Sequence, residues 1–146
     1  MSGEALRIGV CGVGTVGLAT IDILRLQGGM LSARAGKDLK ITHVGARRNH
    51  ADHDYGDARV SRDVMDVARD PEVDVLVELI GGTGVAHDLI KLAIERGKHI
   101  VTANKALIAD KLTEIEAVVD EVNAGGGDPV SFGYEAVVNF LEKNDL

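Results

Sequence analysis

The 146-residue sequence predicts an α/β domain: a doubly wound, mostly parallel sheet with helices on both faces. Two observations carry that expectation. Short β-branched runs alternate along the chain with stretches of helical periodicity, which implies parallel strands joined by right-handed crossovers. Aromatic residues make up only 3% of the chain while glycine occurs 18 times, so the core must be built from Val, Ile, Leu and Ala between many tight turns, as suits a layered α/β fold. No internal repeat, low-complexity tract or interdomain linker interrupts the pattern.

"LRIGVCG" (6–12) is a β-branched run ending in glycine and reads as a strand buried on both faces. "TVGLATIDILRLQ" (15–27) switches to helical spacing, with Val16, Ala19, Ile23 and Leu26 on one stripe. "GGMLSARAGKD" is a helix end and connection, and "LKITHVGAR" is the second strand. The stretch "RNHADHDYGDARV" is polar and turn-prone, after which Ser61 is placed to cap a short helix, "RDVMDVAR", ahead of Pro71. "VDVLVELIGG" is the most continuous apolar run and therefore the best candidate for a central strand. "GVAHDLIKLAIERG" is an amphipathic helix with Gly97 suited to its C-terminal end, and the strand "KHIVTA" follows. A longer helix from about Asn104 to Asn123 ends in "AGGGDP", and "VSFGYEAVV" supplies a fifth strand.

The formal net charge of −7, with acidic residues scattered, argues against a nucleic-acid footprint and against adhesion to anionic lipid, and leaves small molecules as partners. The single cysteine, Cys11, cannot form an internal disulfide, and the N-terminus lacks the basic start and apolar stretch of a signal peptide, so a cytoplasmic location is expected. Beside the glycine turn, Cys11 reads as a small apolar residue without chemistry. The five histidines show no metal-like grouping: His50 and His53 lie in a polar loop, and His43, His87 and His99 fall in separate elements.

"GVGTVG", from Gly12 through Val13, Gly14, Thr15 and Val16 to Gly17, lies directly between the first strand and the first helix. In a Rossmann-type unit Gly12 permits the tight turn, Gly14 lets the backbone approach a pyrophosphate, and Gly17 allows close helix-to-strand packing, with the helix N-terminus facing the phosphates. The alternative is a purely structural turn. At the end of the second strand, where an acidic residue would hold a ribose 2′-hydroxyl, the chain instead runs through Ala46, Arg47, Arg48 and Asn49 with no carboxylate before Asp52. That favours a 2′-phosphate, hence NADP(H) over NAD(H), with NAD(H) still possible; the alternative is that both arginines are solvated surface charge.

Beyond the glycine motif, "ARAG", "ARR", "VDVLVELIGG", "GKHIVTANKAL" and "FGYEA" together resemble the nicotinamide-binding domain of homoserine dehydrogenase, from about Arg7 to Val138. Members of that family interconvert aspartate 4-semialdehyde and homoserine, a step of threonine and methionine biosynthesis, with NADPH or NADH. The resemblance implies that Lys105 lies beside the nicotinamide and substrate, where its charge orients the reacting groups. From the residues alone, an ammonium where an apolar strand meets a helix either needs a partner or is simply exposed. The "IGGTG" segment follows a strand at the edge where such sheets place ligands, so Gly81, Gly82, Thr83 and Thr102 are expected to line the cofactor. Glu135 and Val138 match two positions of the family's sodium site.

The expected organisation is a cofactor domain over residues 1–138 and a divergent tail over 139–146, where "NFLEKNDL" replaces the family's glycine-rich continuation. The sodium site is expected to be incomplete for that reason. The family's acidic substrate ligands and second lysine belong to a later domain, so binding without turnover is expected. Two classes of function remain: the cofactor domain of an oxidoreductase, which associates with itself or with a separate catalytic domain, and a stand-alone NADP(H)-binding or redox-sensing module.

Overall fold

The computed structural model describes residues 6–12, 39–46 and 57–134. Six strands form one sheet: β1 (Leu6–Cys11), β2 (Leu39–Gly45), β3 (Arg59–Ser61), β4 (Val75–Glu78), β5 (His99–Thr102) and β6 (Phe132–Gly133). Three helices accompany them, α1 (Met65–Arg69), α2 (Gly84–Glu95) and α3 (Lys105–Ala124). The strand order is β3-β2-β1-β4-β5-β6, and every neighbouring pair is parallel. The order reverses between β1 and β4, which makes a crevice at their carboxyl ends the natural ligand position in an open α/β sheet.

All four residues of β4 are buried, as its apolar run and central place require. Alternation sends Ile8, Val10, Val75 and Val77 to one face with Ile41, Val44 and Val101, and Leu76 and Ile100 to the other with the helices. On that second face α2 contributes Ala86, Leu89, Ile90, Ala93 and Ile94, a spacing of three and four that makes one unbroken stripe. Each fully buried Leu or Ile there contributes roughly 1.5–3 kcal/mol. The helix ends as expected at Gly97, whose φ is +79: the Gly97 N–H donates to the Ile94 carbonyl and the Lys98 N–H to that of Ala93, which closes the last turn.

At the amino edge, Arg7 and Asp74 fasten β1 to β4. The guanidinium donates to Asp74 through Nε at 3.1 Å and Nη2 at 3.0 Å, and the Arg7 backbone N–H adds a third bond at 2.9 Å. Burial works to raise the Asp74 carboxyl, but the bonds from Arg7 outweigh it and hold it below the usual carboxylate range. The buried Lys98 ammonium donates to the backbone carbonyls of Asp70 and Val73; burial pushes it below the ordinary lysine value despite the nearby Asp70 and Asp74.

Three expectations are corrected. The polar stretch before residue 61 contains a strand, β3, so the sheet has six strands among the described residues rather than five. Ser61 is the last residue of that strand and caps nothing; its hydroxyl lies 2.7 Å from His43 Nε2, while Asp70 Oδ2 lies 2.8 Å from His43 Nδ1. The helix expected from residue 62 starts at Met65, whose N–H is accepted by the Asp63 side chain. Thus the wholly buried His43 is a clamp joining β2, β3 and the end of α1. Gly9 and Gly45 explain how α1 lies so close: a Cβ at Gly9 would overlap Val67, and one at Gly45 would stand 3.1 Å from Val64 Cα.

Candidate functional site

The carboxyl edge is assembled from the ends of β1, β4 and β5. Gly12 leaves β1 with φ +100, and its N–H donates to the Gly45 carbonyl at 2.9 Å. A Cβ at Gly12 would lie 2.8 Å from the Leu79 backbone, so only glycine lets the two strand exits meet. The Leu79 N–H completes the junction by donating to the Cys11 carbonyl at 2.8 Å. Cys11 is buried beneath it; burial first, and then the charge of Glu78, push its thiol far above the ordinary range, in keeping with an inert apolar role.

Glu78 closes β4 and is wholly buried. Its Oε1 accepts from the Thr102 hydroxyl at 2.6 Å, and its Oε2 accepts from the N–H of Ile80 at 2.7 Å and of Gly81 at 3.4 Å. Thr102 in turn accepts from the Asn104 N–H at 3.0 Å. The Asn104 amide donates to the Gly82 carbonyl at 2.6 Å, and its oxygen accepts from the Leu107 N–H at 3.0 Å, capping α3. These bonds draw the loop after β4 and the loop after β5 into one frame.

Gly81, Gly82, Thr83, Thr102 and Lys105 all fall on this frame. Gly81 and Gly82 are exposed, with no atom within 4 Å of where a Cβ would project. Thr102 is buried, and its hydroxyl is engaged by Glu78 and Asn104. Lys105 is exposed as the first residue of α3, so the partner that burial would have demanded is not needed. A cation at a helix N-terminus opposes the backbone dipole, at a cost of about 0.3–1 kcal/mol. Val13, Gly14, Thr15, Val16, Gly17, Arg47, Arg48, Glu135 and Val138 lie outside the described residues, as do the first helix, His50, His53 and the tail 139–146. Among the described residues no group of three or more His, Cys, Asp or Glu side chains is placed to hold a metal ion, and no helix is long and apolar enough to cross a membrane.

Sequence reasoning singled out neither Glu78 nor Asn104 as part of the site. The signal for Glu78 was present: a carboxylate inside the most apolar run of the chain must find donors.

Residues 12–128 match the protein family described as "Homoserine dehydrogenase, NAD binding domain". The chain belongs to this family. A homoserine dehydrogenase of Pseudomonas aeruginosa is 44% identical over 135 residues, which cover 87% of this chain and 31% of that protein. One from Neisseria gonorrhoeae is 37% identical over 121 residues, 82% of this chain and 28% of the relative. The crystal structure of a homoserine dehydrogenase from Thiobacillus denitrificans superposes with a TM-score of 0.79 at 34% identity, over 90% of this chain and 30% of the other. That of the S. aureus homoserine dehydrogenase at pH 7.0 gives 0.77 at 27% identity, over 92% and 33%. The chain therefore spans about a third of the length of the homoserine dehydrogenases it matches.

Proposed function

We propose that this domain binds a nicotinamide dinucleotide across the β1/β4 crevice and that it is the cofactor half of a homoserine dehydrogenase, acting in the interconversion of aspartate 4-semialdehyde and homoserine. The observation that carries the reading is the junction at the reversal of strand order, where Gly12 lies against the Leu79 backbone and the loop after β4 is left open at Gly81 and Gly82. A dinucleotide fits that arrangement, because exposed backbone at the carboxyl edge suits a phosphate-bearing ligand. In this reading the turn from Gly12 to Gly17 takes the pyrophosphate, and Gly81, Gly82 and Thr83 border the cofactor, with the buried Thr102 behind them rather than lining it as expected. Arg47 and Arg48 pair with a 2′-phosphate, which makes NADP(H) the preferred form.

The bound cofactor would supply hydride. Lys105, exposed at the same edge, presents its ammonium where the reacting groups meet and orients them, a use that accounts for a cation at the unfavourable end of α3. The cofactor unit extends over residues 1–138 and the tail over 139–146, with Glu135 and Val138 an incomplete part of a sodium site. The chain matches only about a third of the length of the homoserine dehydrogenases, so in this reading the 146 residues alone bind without turning over.

Calorimetric titration of the purified chain with NADPH and then NADH tests the reading. Tighter binding of NADPH is expected, each charge-assisted bond to the 2′-phosphate contributing roughly 1.5–3 kcal/mol. Replacing Arg47 and Arg48 together with alanine should remove the preference and leave NADH binding nearly unchanged. Binding of neither cofactor would overturn the assignment, and equal affinities would overturn the NADP preference alone. The same samples should not oxidise NADPH in the presence of aspartate 4-semialdehyde; oxidation that vanishes in Lys105→Ala would refute the expectation of binding alone.

A further inference from the structure

We propose that Glu78 is the positioning residue for the nicotinamide half of this site, setting the two loops that face it and, through Thr102 and Asn104, the first turn of α3 from which Lys105 projects. The proposal rests on the dinucleotide reading above and adds a residue to it. Glu78 touches no ligand in this scheme; it acts through the groups it holds.

A carboxylate with no exposed surface at the end of an apolar strand is costly unless donors surround it. Its partners among the described residues are all uncharged donors: one hydroxyl and two backbone N–H groups. Direction matters as much as number. The Asn104 N–H gives its proton to the Thr102 oxygen, which leaves the Thr102 hydroxyl free to donate to Glu78 Oε1. The Ile80 and Gly81 N–H groups point at Oε2. Each of these bonds runs toward Glu78, which accepts at both of its oxygens, as a carboxylate can and an amide cannot. A glutamine of the same shape can keep its oxygen on the two backbone N–H groups only by turning its NH₂ to the Thr102 oxygen, which would then accept twice and lose the carboxylate that takes its own O–H.

The same hub reaches both sides of the site. It fixes the Ile80–Gly81 backbone directly, and Asn104, held through Thr102, binds the Gly82 carbonyl and caps α3 at Leu107. The topology says which part of the cofactor these loops meet. In a doubly wound sheet the turn after β1 takes the pyrophosphate and the end of β2 takes the adenosine ribose, so the β4/β5 edge is left to the nicotinamide. A fault in the hub should be felt by one end of the dinucleotide and not by the other.

The test uses the full 146-residue chain with Glu78→Gln and, separately, Thr102→Val, which preserves volume, keeps Glu78 in place and serves if Glu78→Gln does not fold. Each variant is titrated calorimetrically with NADPH and with 2′-phospho-ADP-ribose, which lacks the nicotinamide. Loss of the aligned, charge-assisted bonds is expected to weaken NADPH about tenfold while leaving the nicotinamide-free probe within about twofold of the parent. Amide hydrogen exchange should quicken at Gly81 and Leu107 and stay unchanged in β1. NADPH affinity equal to the parent's overturns the proposal, and so does an equal loss for both ligands, since a merely structural residue would weaken both alike. A parent chain that binds neither ligand overturns the dinucleotide reading and this proposal together; a parent that binds both, with variants that do not discriminate, overturns this proposal alone.

Discussion

Replacing Gly12 with alanine tests the junction at which β1 and β4 meet. The residue adopts φ +100, and an added Cβ would stand 2.8 Å from both the carbonyl carbon and the oxygen of Leu79 and 3.0 Å from the Ile80 nitrogen. These are backbone atoms, held in place by the Leu79 bond to Cys11 and the Ile80 bond to Glu78, so no side-chain rotation relieves the contact. Left-handed backbone costs an L-residue about 1–2 kcal/mol, and forcing an extra methyl into a packed site costs about 1–3 more. Gly97 supplies the comparison: its φ is +79, but nothing lies within 4 Å of a Cβ there, so Gly97→Ala carries only the first penalty. The gain from a stiffer unfolded chain is common to both variants and cancels. Urea unfolding followed by circular dichroism should therefore place Gly12→Ala below Gly97→Ala by about 1–3 kcal/mol, a large share of an ordinary domain's 5–15. Equal midpoints, or a milder effect at Gly12, would refute the close approach on which the crevice depends.

Asp70 and Asp74 are both held below the usual carboxylate range, the first by the Glu72 N–H and His43 and the second by Arg7, in each case against the opposing effect of burial. A depressed native value means stability that is present above the unfolded value of about 3.9 and is lost as the pH falls through the native one. Unfolding midpoints measured from pH 6 downward should therefore drop below about pH 4, and Asp74→Asn should flatten that limb; an unaltered slope in the variant would show that the Arg7 pair is not the source. Lys105→Ala should raise thermal stability slightly, by about 0.3–1 kcal/mol at low salt, because it removes a cation from a helix N-terminus. A clear loss of stability would show that Lys105 supports the fold rather than the site.

Elements whose pattern is long and self-contained were legible in the sequence. The α2 stripe from Ala86 to Ile94, the buried run of β4 and the glycine that ends α2 each declare themselves within about a dozen residues. β3 did not, because three residues in polar surroundings form a strand only by pairing with β2, and Val60 is exposed on it. Ser61 misleads for a related reason: a hydroxyl before a helix suggests a cap, yet its partner is His43, 18 residues earlier. At the site, the glycines and Thr102 could be chosen from sequence because strand ends are recognisable. The bond that organises them joins Glu78 to Thr102 across 24 residues, and only the β4/β5 pairing brings those two together.

Among the described residues, β3 and β6 are the outer strands of the sheet. β3 has three residues and β6 has two, and each is already paired along its inner side. Half of a strand's amide and carbonyl groups point outward, so the described residues of β3 and β6 present no more than a bond or two each to an incoming extended segment. β3 in addition carries the exposed Arg59. Such blunt rims are poor templates for growing the sheet sideways, whether by a second copy or by a peptide.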